Sequence, residues 1–154
     1  MIRLRIAAGL LAATMLTGAT ACSAADQPTH AKAQTTVAAS TRPAETFTPL
    51  LQQVLPNVKG KTFTSAIVAF PPGARAVPHR HGQAFVYAYV LEGTVRSQLA
   101  GKPVNTYHQG ENWIEQPGAH HVLTENTSRT KPAKLLVVFV SDTGAKLKVD
   151  DPKS

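Results

Sequence analysis

The chain has 154 residues, 43% of them apolar, with one cysteine and a formal net charge of +7. That length suits one domain of ordinary size, and the apolar fraction is ample for a core, so wholesale disorder is excluded. A lone cysteine excludes an internal disulfide framework and a cysteine-rich zinc module, while the excess of 16 Lys+Arg over 9 Asp+Glu raises nucleic acid and anionic membranes as partners.

Residues 1–22 have the layout of a secretory signal. Arg3 and Arg5 form a basic start, Ile6–Leu16 is an apolar run without charge, and Thr17–Ala21 is built mainly of small residues. The run is about 11 residues, too short for a bilayer that needs roughly 20. Cys22 follows Ala19-Thr20-Ala21, and the segment resembles a bacterial lipoprotein signal, whose cysteine becomes the lipidated first residue. Ala19 stands where that family has Leu, and the same residues also form an Ala-x-Ala site for ordinary cleavage. Either route predicts export: periplasmic or anchored as a membrane lipoprotein in a bacterium, otherwise secreted.

Residues 23–45 are Ala, Thr, Ser, Gln and Pro with scattered charge, a composition predicting a disordered tether. Without Arg3 and Arg5 the net charge is +5. The remaining basic residues form no stripe and interleave no aromatics, so nucleic acid is not an expected partner. The only expected contact with a membrane is a lipid on Cys22.

The folded part is expected over residues 46–149, with 150–154 as a tail. Thr48–Leu55 reads as a short helix, with Thr48 as N-cap, Pro49 in the first turn and Pro56 as the stop. Beyond it the chain reads as short strands. Lys61–Phe70, Ala84–Leu91, Thr94–Leu99, Val104–Tyr107, Asn112–Glu115, His120–Thr124 and Leu135–Val140 are separated by Gly or Pro turns, which predicts an all-β sandwich or barrel. Phe85, Tyr87 and Tyr89 share one face of their strand and are expected in the core, as is Trp113.

His79 and His81 alternate on one extended stretch, so both point to the same side, and His121 follows the Pro117-Gly118 turn forty residues later. Imidazole suits zinc, copper, iron or nickel. A His-x-His pair and a third histidine on a partner strand can fill three neighbouring coordination positions. His120 points to the opposite face. His30 and His108 lie in linker and turn, and neither is assigned a role.

The spacing around these histidines resembles the cupin superfamily. Gly73, five residues, His79-Arg80-His81 and then Gly93 follow its first motif; Gly110, five residues, Gln116-Pro117-Gly118, two residues and His121 follow its second. The resemblance implies a double-stranded β-helix (jelly-roll) barrel, with the N-terminal helix as an addition, and a divalent metal inside. Three departures stand out: Val86 occupies the position of the family's glutamate ligand, Gln116 that of a proline, and Glu125 that of an asparagine. The carried-over metal ligands are His79, His81 and His121. Two further side chains are weighed. Gln83 shares the parity of the histidines, unless Gly82 introduces a bulge. Glu115 lies six residues before His121, although a solvent-facing position is favoured for it.

A divalent metal (Fe, Zn, Mn, Ni or Cu) on three neutral imidazoles keeps its full charge and favours a small anionic molecule. Two functions follow. One is a dioxygenase-like or related metalloenzyme; the other is a non-catalytic cupin module that binds a sugar or metabolite. The resemblance also makes a homodimer an expectation.

Overall fold

The computed structural model describes residues 42–152. The expected signal with Cys22, His30 and residues 23–41 of the linker lie outside the described residues. Ten strands follow in order: β1 Thr46–Val54, β2 Lys61–Phe70, β3 His79–Arg80, β4 Phe85–Glu92, β5 Thr94–Leu99, β6 Asn105–His108, β7 Asn112–Glu115, β8 His120–Asn126, β9 Ala133–Asp142 and β10 Val149–Asp150. They form two five-stranded antiparallel sheets, ordered β1-β2-β9-β4-β7 and β10-β3-β8-β5-β6, the arrangement of a jelly-roll barrel.

Alternation sets what each strand buries. In β9, Leu135, Val137 and Phe139 point inward; in β4, Val86, Ala88 and Val90 do the same. Between them these residues and Phe70 on β2 make the core of the first sheet. At the β4–β5 hairpin, Gly93 has φ +77°, and a Cβ there would lie 2.6 Å from the Pro132 carbonyl oxygen. Only glycine fits this close crossing.

Three sequence expectations are corrected. Thr48–Leu55 is not a helix: β1 covers all of it but Leu55 and pairs with β2 from Thr46 opposite Ala69 to Val54 opposite Thr62. The long ladder outweighs a local helix signal that rests on one cap and one proline. Pro49 is tolerated because β1 is an edge strand. Phe85, Tyr87 and Tyr89 do share a face, but it is the outer one. Tyr87 stands opposite Val138 on β9 and Ile114 on β7, while their inward neighbours Val86 and Ala88 take the core. The C-terminal segment expected as a tail stays paired for a further turn: Asp150 lies opposite His79 in β10–β3, and the Asp151 N–H donates to the Pro78 carbonyl.

Candidate metal centre

The β3–β8 ladder builds the site. It sets His79 directly opposite His121 and Arg80 opposite His120. A second tie joins the two glycine turns, where the Gly118 N–H donates to the Gly82 carbonyl at 2.7 Å. His81 follows immediately after β3 on the same side as His79. His79, His81 and His121 thus each present a ring nitrogen, all three within 4.8 Å of one another, and all three side chains are largely shielded from solvent.

Hydrogen bonds select which nitrogen is free. His79 Nδ1 lies 2.6 Å from the Val77 carbonyl oxygen, and His81 Nδ1 contacts the Leu147 carbonyl oxygen. A carbonyl only accepts, so both Nδ1 atoms carry the proton and both Nε2 atoms keep a lone pair. His121 is held the other way. Its Nε2 sits 2.8 Å from Ser97 Oγ and 2.7 Å from Thr124 Oγ1, which leaves Nδ1 facing the interior.

The fourth group is Glu115. Its carboxylate is 3% exposed, with Oε1 2.9 Å from His121 Nδ1 and Oε2 3.7 Å from His81 Nε2. Trp113 Nε1–H donates to Oε1 at 3.2 Å. Oε1 thus meets His121 Nδ1 as an ion-pair contact, and His121 Nδ1 and Glu115 Oε2 are both buried without a hydrogen-bond partner. Buried polar atoms are seldom left so. With Ser97 and Thr124 accepting from His121 Nε2, its Nδ1 offers a lone pair, and together with Glu115 Oε2 and the two other Nε2 lone pairs it makes a donor set that fits a cation.

The sequence favoured a solvent-facing Glu115; the β4–β7 register turns it inward, placing Glu115 opposite Val86. A buried carboxylate on the neighbouring strand thus lies directly across from position 86. The signal for it was the alternation Trp113-x-Glu115, which puts both on the buried face of β7. Gln83 is the reverse case. Gly82 adopts φ +57°, the extended run breaks into a turn closed by the Ala84 N–H to His81 carbonyl bond, and Gln83 is left exposed, away from the cluster. His120 points outward as expected, with Nε2 2.7 Å from Asp151 Oδ2. Ser97, Thr124 and Leu147, which orient the histidines, were not identified from sequence: Ser97 and Leu147 meet histidines far away in the chain, and Thr124 reaches His121 along its own strand.

The electrostatics agree with a cation site. Burial pushes the His79 imidazole down to about 4, helped by the neighbouring His121, His81 and Lys148 and opposed by the Val77 carbonyl. Burial also lowers His81, against the Leu147 carbonyl and the Glu115 charge. Burial alone would raise Glu115, but His121, His81 and the Trp113 N–H outweigh it and hold its carboxyl below the usual range. His79 and His81 are thus neutral at pH 7 beside an ionised carboxylate. Metal binding requires those forms.

A cavity of about 240 Å³ opens onto the cluster. Its walls are mainly apolar, among them Val68, Phe70, Val86, Leu135 and Val137, with Glu45 and Lys148 as charged lining residues. Lys148 Nζ pairs with Glu45 Oε1 at 2.7 Å and Asp150 Oδ1 at 2.8 Å.

Residues 66–139 match the family model described as a cupin domain. No curated protein matches the chain in sequence. Among solved structures, the chain is similar to the cupin domain of Schizosaccharomyces pombe Cnp3, at 17% identity and TM-score 0.53 over 64% of this chain and 62% of that one. It is similar to the DMSP lyase DddQ from Ruegeria pomeroyi DSS-3 at 20% identity and TM-score 0.56, over 70% and 51%. An oxalate oxidase in complex with the substrate analogue glycolate aligns at 22% identity and TM-score 0.57, over 72% and 57%. The chain therefore spans between 51% and 62% of the length of these structures. The likeness to these structures is one of fold, in keeping with the match of residues 66–139 to the cupin-domain model.

Proposed function

We propose that this protein is an exported metal-dependent cupin. Its divalent metal would be held by Nε2 of His79 and His81, Nδ1 of His121 and the carboxylate of Glu115. The observation that carries the reading is the pair of buried, unpartnered atoms, His121 Nδ1 and Glu115 Oε2, facing two histidines whose tautomers are fixed by backbone carbonyls. Ser97 and Thr124 serve by orienting His121 through its other nitrogen, as groups behind metal ligands commonly do.

Glu115 alters the charge expected from the histidines alone. Three neutral imidazoles and one carboxylate leave a divalent ion with a net +1, still attractive to an anionic oxygen in a poorly screened interior. When bound, such an ion polarises a coordinated oxygen, and a redox-active one also exchanges electrons. The chain's own contribution is to shape what reaches it. The apolar cavity excludes water and accepts a compact apolar body, and at about 240 Å³ it lies below the roughly 300–1,000 Å³ of pockets for drug-sized ligands. The substrate class is accordingly a small molecule with a carboxylate or enolate head and a short apolar body. Export and anchoring at Cys22 rest on residues 1–22 of the sequence.

Equilibrium dialysis against iron, zinc, manganese, nickel and copper tests the site. One ion per chain in the wild type and a loss in His121→Ala are expected; sub-stoichiometric metal in both would overturn the proposal. Oxygen uptake and product formation with small enolates and carboxylates then separate two roles. Turnover supports an enzyme, and saturable binding without turnover supports the binding module.

A further inference from the structure

Two segments far apart in the chain face each other across the cavity. Glu45 and Phe47 line it from the start of β1, and Leu147 and Lys148 line it from the stretch that joins β9 to β10. Of the residues lining the cavity, only Phe47 and Lys148 are exposed, so its mouth lies between these two segments. An ion or small molecule bound for the buried cluster must pass it. Among the described residues, one polar contact joins the two sides: Lys148 Nζ donates to Glu45 Oε1 at 2.7 Å, across 103 residues of sequence.

The segment that carries Lys148 is lightly held. Residues 143–146 are exposed and belong to no strand, and β10 is two residues long. Lys148 has a second partner, Asp150 Oδ1 at 2.8 Å. Asp150 lies on the same segment and keeps the ammonium paired when Glu45 lets go. A partly exposed ion pair is worth little, and segments with few buried contacts open at low cost. Leu147, the neighbour of Lys148, meets His81 Nδ1 with its carbonyl, so one segment both covers the mouth and orients a candidate ligand. We propose that the Glu45–Lys148 pair is a latch. Formed, it shuts the cavity and holds His81 in place; broken, it lets residues 143–148 move off the mouth. The opening itself is independent of the function proposed above, and its control of metal exchange rests on that reading.

A latch differs in sign from a pair that acts only by its charges. Lys148 is near enough to His79 and His81 for its charge to disfavour their protonated forms, and the same repulsion acts on a bound cation. By charge alone, neutralising Lys148 would slow metal release and neutralising Glu45 would speed it. With a latch both changes speed it, because release passes through the open form.

Trp113 is the only tryptophan of the chain and lines the cavity at 8% exposure. Acrylamide, a small neutral quencher of its fluorescence, therefore reads the opening without any metal. In the metal-free full chain, Glu45→Gln and Lys148→Met are each expected to raise the Stern–Volmer constant about two- to fivefold, the factor that one partly exposed ion pair supplies. Both should speed zinc release from the loaded protein to excess chelator by the same factor. Sodium chloride at about 0.5 M screens the pair, so it should raise quenching in the wild type and leave both variants unchanged. Lys134→Met breaks the Lys134–Glu92 pair, neither member of which lines the cavity, and should match the wild type in both measurements. Unchanged quenching in either variant, or release that slows in Lys148→Met, would overturn the latch. A wild type that takes up no zinc would overturn the metal reading instead, and the quenching then decides on the latch by itself.

Discussion

The two sheets differ on both of their faces. The sheet β10-β3-β8-β5-β6 is polar outside, with Arg96 bound to Glu125, and polar inside as well, where His79, His121, Ser97 and Thr124 are all buried. The sheet β1-β2-β9-β4-β7 is apolar inside, through residues such as Phe70, Leu135 and Phe139, and apolar outside. One sheet carries most of the candidate ligands and their orienting groups; the other supplies most of the apolar burial. A barrel divided in this way can vary its ligands with little loss of core. Glu115 is the exception, a buried carboxylate on the apolar sheet and the proposed charged ligand.

The largest expected effect lies on the apolar sheet. Phe139 is buried against Phe47 and His81, with ring centroids at 6.2 and 5.2 Å. Phe139→Ala should cost about 3–5 kcal/mol in denaturant unfolding of the metal-free protein. A loss below about 1 kcal/mol would break the assignment of stability to this sheet. Ser97→Ala, on the polar sheet, should act the other way. Metal affinity should fall about 10–100-fold with little change in the unfolding midpoint of the metal-free protein, and a large stability loss at unchanged affinity would reverse the division.

Acid should find the polar sheet next. With the His79 imidazole held down to about 4 from 6.5 in the folded chain, the unfolded chain takes up that proton first. The stability is therefore full above pH 6.5 and declines as pH falls toward 4, at up to about 1.4 kcal/mol per pH unit from this one group. Urea titrations of the metal-free protein at pH 7.5, 5.5 and 4.5 would show the decline, and His79→Gln should flatten it. The smallest effect is expected on the polar outer face. Arg96→Ala removes a partly exposed ion pair and should cost about 1 kcal/mol or less, read from the same urea curves.

Much of this division was legible in the residues. Alternation and glycine spacing located seven of the strands nearly to their ends, and the His-x-His pair with His121 located the cluster. What failed to read depends on cross-strand register. Tyr87 and Val86 are neighbours with opposite fates, and only the ladder to β9 decides which faces the core. Glu115 shares the buried face of β7 with Trp113, but only the pairing with β4 sets it opposite Val86. Gln83 has the right parity, but a single left-handed glycine removes it. For β1, eight residues with an N-cap and a proline resemble a helix until β2 is present to pair with them.

The central claim is that a carboxylate on β7 takes the place of the one absent at Val86. Metal titration of Glu115→Gln, which keeps the side chain's shape and removes its charge, tests this most directly. The account predicts one ion per chain bound at least tenfold more weakly than in the wild type, with folding intact. Affinity equal to the wild type would contradict it and return Glu115 to a structural role.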